Sequence, residues 1–272
     1  MKVTDLDFYL DNDLKEYCDL LMKRTEKKWD NLIILDGEER SGKTTLAKAM
    51  CYYMAHKQGK KFGLRNVFFN PENMSKFARE NEREIILWDE AAFGGLASMW
   101  QSKIQQMLVM MLMAAGKYKH TYIFIIPSFF KLKNYLALHR SSSLIHVYSP
   151  DMLSRGLFIC YNRTQKTWIY NNYKKSQTYG KQFSFRGRFV VKNIENAIWN
   201  EEDYEKKKDE AIESIKKWFD KKKTQKSPLK LQFDALKHKI ATKLDVAEAS
   251  DLADVSIQTI YQWKKLENGG VS

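Results

Sequence analysis

Residues 37–44, Gly37-Glu38-Glu39-Arg40-Ser41-Gly42-Lys43-Thr44, set two glycines, a lysine and a hydroxyl residue at the spacing G-x-x-x-x-G-K-[ST]. That spacing suits a grip on a triphosphate. Glycines let the backbone curl so that successive N–H groups point inward at anionic oxygens. The lysine reaches the β- and γ-phosphates, and the threonine hydroxyl ligates Mg2+. The loop follows a short apolar run, 31–36 (NLIILD), and opens a helically spaced run, 44–57, so a helix N-terminus adds its positive dipole end. The phosphate-contacting candidates are therefore Gly37, Glu38, Glu39, Arg40, Ser41, Gly42, Lys43, Thr44 and Thr45. Two carboxylates beside a triphosphate repel it, so Glu38 and Glu39 are expected to point away. Arg40 either touches the γ-phosphate or faces solvent.

A second cluster ends the apolar run 85–88 with Asp89 and Glu90. Two acids closing a buried strand beside such a loop are candidates for its chemistry. The competing reading is an acidic cap on the following loop. The pair resembles the Walker A and Walker B elements of P-loop ATPases. An acid directly after the Walker B aspartate marks their additional-strand, catalytic-glutamate division. The resemblance implies ATP and Mg2+ as cofactors, with Lys43 and Glu90 as catalytic residues and Thr44 and Asp89 as metal ligands. It also implies a polar sensor after the next strand, where Ser128 stands. Arg140, before the last core strand, reads either as an arginine finger for a neighbouring subunit or as the cap of a helix C-terminus.

The elements that must position these residues alternate. Apolar runs at 31–36, 65–69, 84–89, 121–127 and 143–148 read as buried strands. Helical runs at 44–57, 71–80, 98–115 and 132–140 separate them. Such alternation predicts an α/β fold, a parallel sheet covered by helices on both faces. The expected domains are a P-loop ATPase core over 1–150, a basic β-hairpin region over 151–192, a charged helix and linker over 193–229, and a helix-turn-helix over 230–272. The hairpin is expected at 155–175, turning at 162–166.

From Trp88 to Val147 the chain resembles the HerA/FtsK-like and zonular-occludens-toxin-like DNA-pumping ATPases, including viral packaging enzymes. The features are the strand ending in Asp89-Glu90, a long helix ending in Gly116-Lys117, a further strand, and a basic helix ending in Arg140. The likeness covers 31–150 well and the rest poorly. It implies a homo-oligomeric ring, such as a hexamer, that moves DNA in viral or plasmid packaging, transfer or replication. The alternative is an ATP-dependent DNA-binding switch that does not move along DNA, as in replication, transposition or partition ATPases. A small-molecule kinase is a third option, against which Glu90 and the C-terminal unit argue.

The balance of 46 Lys+Arg against 33 Asp+Glu gives a net charge of +13, which draws the surface to polyanions. The stretch 151–192 interleaves Lys174, Lys175, Arg186 and Arg188 with aromatics, which suits nucleic acid; the plainer reading is a packed hairpin with solvated lysines. Residues 246–265 resemble a helix-turn-helix, with Val255 as buried turn residue and Ser256 capping the second helix. Its recognition face offers Gln258, Thr259, Tyr261, Gln262 and Lys265 to DNA, although such units also dock proteins. Cysteines 18, 51 and 160 are odd in number and widely spaced, which points to a reducing, cytoplasmic setting, a host cytoplasm for a viral chain. No apolar run reaches the ~18–20 residues of a spanning helix, and the first residues lack the apolar stretch of a signal peptide.

Overall fold

A computed structural model describes residues 8–89, 98–151, 153–176, 178–180, 182–191, 198–224, 245–246, 248, 250 and 256–268. The apolar runs form parallel strands because helices cover both faces, which leaves most residues along them buried. In chain order the elements begin with β1 (Phe8–Leu10), α1 (Asn12–Glu26), β2 (Asn31–Gly37) and α2 (Lys43–Lys57). Next come β3 (Val67–Phe68), α3 (Pro71–Glu80), β4 (Ile85–Asp89), α4 (Ser98–Ala115) and β5 (Thr121–Ile125). A π-helical turn, Tyr135–Arg140, leads into β6 (Ser143–Tyr148) and β7 (Leu157–Tyr161). α5 (Arg163–Ser176), β8 (Phe185–Val191), α6 (Glu201–Thr224) and α7 (Ile257–Asn268) complete the described set. Every residue of β2, β4 and β5 is buried. Among the described residues no helix is long and apolar enough to cross a membrane.

The strands form one sheet in the order β1-β8-β7-β6-β2-β5-β4-β3. From β6 to β3 the pairs are parallel, and from β1 to β6 they are antiparallel. β5 lies between β2 and β4, so a strand separates the one that feeds the glycine loop from the one that ends in Asp89. This is the additional strand that the two motifs imply. Register does the rest: Leu35 and Asp89 both pair with Ile125, which brings the carboxylate level with the start of the loop.

The stretch 155–175 departs from expectation. Its first half is β7, but its second half is the helix α5 rather than a returning strand. The reason is a capping box. Asn162 Oδ1 accepts from the Gln165 amide at 3.0 Å, and Gln165 Oε1 accepts from the Asn162 amide at 3.0 Å. Lys166 and Ile169 then fall on an inner face and are buried, while Trp168 stays 54% exposed. β7 is answered by β8 instead, with Phe158 opposite Gly187, so the basic stretch extends the core sheet and is not a separate hairpin.

The chain divides into two compact units, 1–214 and 215–272. In the second, α7 is capped as anticipated: Ser256 Oγ accepts from the Thr259 amide at 3.3 Å. Ile260 is fully buried, while Gln258, Tyr261, Gln262 and Lys265 are exposed and Thr259 is partly so. Most of the first helix of the expected helix-turn-helix, and Val255 in its turn, lie outside the described residues.

Candidate nucleotide site

The loop between β2 and α2 is shaped by its two glycines. Gly37 has φ +136°, and a Cβ there would meet Val147 O of β6 at 1.9 Å. Gly42 has φ +101° and stands before α2, where no side chain caps the helix. The first-turn amides of a helix have no intrahelical acceptors, so at this terminus they are the natural donors to an anion. Ser41 closes the loop from within, its hydroxyl donating to Glu38 O at 2.8 Å. Glu38, Glu39 and Arg40 are exposed, and Glu39 borders the cavity next to the loop.

Lys43 folds back over this loop, its ammonium donating to Gly37 O at 2.8 Å and to Glu38 O. Burial lowers its pKa, and the nearby carboxylates Asp36 and Asp89 oppose that shift. Thr44 Oγ1 donates to Asp89 Oδ2 at 3.3 Å, and Asp89 is fully buried. A hydroxyl and a carboxylate converging at a phosphate loop are hard oxygen donors of the kind Mg2+ takes, with the remaining positions left for phosphate and water. Thr44 and Asp89 therefore fit Mg2+. Glu90 lies outside the described residues.

These side chains border a cavity of about 600 Å³. Gly42, Lys43, Thr44, Thr45 and Asp89 line one part of it, with Glu39 and Arg40 at the loop. Ile125, at the end of the additional strand, and Ile126 and Pro127 just after it line another part, and Arg155 and Lys208 add two cations that sequence reasoning did not place at this site. Ser128, the expected sensor, is half-buried and precedes a 3-10 turn at Phe129–Lys131, just past the part of the strand end that borders the cavity.

Arg140 lies away from this cavity. It pairs with Asp30, which immediately precedes β2, while Arg140 itself precedes β6. Both sit at the N-terminal ends of parallel strands, and the phosphate loop is at the opposite, C-terminal ends. The guanidinium is only 14% exposed. It ties two strand ends together, on the side of the sheet away from this chain's own phosphate loop.

Two groups of functional interest were not anticipated. Asp36, fully buried just before Gly37, accepts from the Tyr179 hydroxyl at 2.6 Å and from the Phe129 amide at 3.0 Å. His146 Nδ1 lies 3.0 Å from its other oxygen, and the His146 and Tyr179 rings stack at 3.6 Å. An acid inside an otherwise apolar strand was the available signal, since it must be satisfied when buried. The second group is Tyr204 of α6, whose hydroxyl donates to Asp89 Oδ2 at 2.6 Å. Here the signal was Trp199 and Tyr204 standing among charged neighbours that would otherwise mark a solvated helix.

Arg186 and Arg188 alternate along β8 and are both exposed, so they share one sheet face. Lys174 and Lys175 fall in the last turn of α5.

The family model described as nSTAND3, Novel STAND NTPase 3, matches residues 17–174. No curated protein matches the chain. Solved structures that match the chain include the Holliday junction branch migration motor RuvB of Thermotoga maritima and a Trip13 from Rhizobiales. The RuvB match has 15% identity over 52% of this chain and 45% of that one, with a TM-score of 0.35. The Trip13 match has 16% identity over 54% of this chain and 70% of that one, with a TM-score of 0.31. The chain thus spans under half the length of the RuvB chain it matches.

Proposed function

Because the chain belongs to the novel STAND NTPase 3 family, we propose that this NTPase is a Mg2+-dependent ATPase that binds DNA and works as a nucleotide-controlled switch. The observation that carries the hydrolytic half is the meeting of Lys43, Thr44 and Asp89 around one cavity, at the C-terminal ends of β2 and β4. Lys43 exchanges two loop carbonyls for the β- and γ-phosphates, and the α2 N-terminus holds phosphate oxygens by its amides. Thr44 and Asp89 hold Mg2+, which when bound neutralises charge building on the phosphates. Ile125, Ile126 and Pro127 keep an apolar wall beside the reacting group, where electrostatic contacts are stronger than in water. Glu90 is the proposed base for water.

The DNA half is supported by the exposed Arg186 and Arg188 and by the outward polar face of α7. A switch is favoured over a ring motor because a ring calls for an arginine offered to the neighbouring subunit, and the Arg140 guanidinium is engaged by Asp30. The free, buried cysteines suit a cytoplasmic setting.

One experiment separates the readings. ATP turnover is measured with no DNA, single-stranded DNA and duplex DNA, alongside sizing in a non-hydrolysable ATP analogue. Slow turnover with ATP-dependent DNA binding supports the switch. Strand displacement or tracking by a closed oligomer restores the motor, and turnover indifferent to DNA, with no DNA bound, removes the DNA half.

A further inference from the structure

The first turns of α6 meet the nucleotide site at the metal-holding carboxylate itself. Tyr204 is 3% exposed. Burial, then the charge of Asp89, pushes its phenol far above the usual range, so the hydroxyl stays a donor. Thr44 and Tyr204 both donate to Asp89 Oδ2, at 3.3 and 2.6 Å. A carboxylate oxygen offers about two lone-pair sites, so these donors fill that oxygen.

The segment carrying Tyr204 is fastened independently. Trp199 stacks on Tyr204, with ring centroids 5.6 Å apart and planes 5° from parallel. Lys48 of α2, 4% exposed, lies 4.3 Å from the Trp199 ring and pairs with Glu201 at 2.9 Å. Lys207 donates to Leu64 O at 2.8 Å. The helix is thus pinned to α2 and to the turn before β3 through residues that have no part in holding phosphate.

We propose that Tyr204 is a positioning residue of the metal site, which competes with Mg2+ for Asp89 and so couples metal binding to release of residues 199–208. Both events draw on the same carboxylate. By linkage, whatever factor docking of the segment takes from metal affinity, metal binding takes from docking. The segment is then a latch whose state follows the nucleotide site. The inference rests on reading Asp89 as the Mg2+ holder.

The test uses the full chain as wild type, Y204F and E201Q. A fluorescent ATP analogue is bound first without metal, then Mg2+ is titrated in, and amide hydrogen exchange is followed over 199–208. Y204F is expected to lower the half-saturating Mg2+ concentration about tenfold, the order of one hydrogen bond to a charged acceptor, and to leave metal-free nucleotide affinity unchanged. In wild type, Mg2+ with nucleotide should speed exchange over 199–208 several-fold. E201Q, which breaks only the Lys48 pair, should shift the metal titration the same way by a smaller factor. A Y204F protein with unchanged or weakened Mg2+ dependence makes Tyr204 a mere support for the carboxylate and overturns the inference alone. Wild-type protein that binds no nucleotide removes the reading of the site, and this inference with it.

Discussion

At Lys43 the ammonium is held by Gly37 O and Glu38 O, two acceptors that a bound phosphate would replace with full charge. Lys43→Ala should therefore abolish nucleotide binding or at least turnover, read by equilibrium binding and by phosphate release. Glu90→Gln should keep nucleotide binding but slow hydrolysis by ~10²-fold or more, because only water activation is lost; normal hydrolysis in that variant would require another base. His120 sets a pH dependence. It is fully buried, with Nδ1 accepting from the Glu84 amide and Nε2 donating to Ala78 O. Burial lowers its pKa from 6.5. The unfolded chain then binds a proton near pH 6.5 that the folded chain refuses until lower pH. The stability this neutral ring contributes is present above 6.5 and is lost as pH falls through the folded value. Urea midpoints should drop between pH 7.5 and 5.5, and a His120→Gln variant should lose much of that slope.

Elements here depend on a few special positions. Gly37 ends β2 at φ +136°, with Val147 O where a Cβ would sit. Gly37→Ala combines backbone strain with a clash against backbone, and should cost at least about 3 kcal/mol. Chemical denaturation reads this directly, and a loss under 1 kcal/mol would mean that β2 and β6 are less tightly paired than the register requires. Asn162 explains why α5 is a helix. The N-x-x-Q pattern was present in the sequence, but Trp168 and Tyr170, two residues apart, favoured a strand reading. The capping box and the buried Lys166–Ile169 face decide for the helix, since Lys166 reaches Ala137 O and Leu138 O at the end of the π-turn. The same α5 packing brings the Tyr170 hydroxyl to Leu132 O at 2.6 Å.

The whole chain carries +13, and its exposed cations occupy more than one place. If Arg186 and Arg188 bind phosphates, replacing both with glutamine lowers affinity for every DNA sequence alike. It should also flatten the salt dependence by about 0.9 for each duplex phosphate that is no longer neutralised. Gln258→Ala and Gln262→Ala should act differently, erasing preference between sequences worth ~1–3 kcal/mol per base read while leaving the salt slope. Fluorescence anisotropy across a salt series, on two unrelated duplexes, distinguishes the patterns. Unchanged discrimination in the Gln258 and Gln262 variants would make the second unit a protein-docking module.

Sequence alone determined what depends on neighbours along the chain. The phosphate loop is a contiguous set of backbone angles, so its glycines, lysine and threonine were legible where they stand. The buried strands were legible from unbroken apolar runs, and the α7 cap from Ser256 beside its own first turn. Tertiary structure alone decided what joins residues far apart. Tyr204 meets Asp89 across 115 residues, Tyr179 meets Asp36 across 143, and Arg140 meets Asp30 across 110. No local period encodes such pairings. Each arises because β5 inserts between β2 and β4 and because β7 and β8 extend the sheet past β6. That order sends Arg140 to the end of the sheet away from the phosphate loop, and packing of α6 against α2 brings Tyr204 to Asp89.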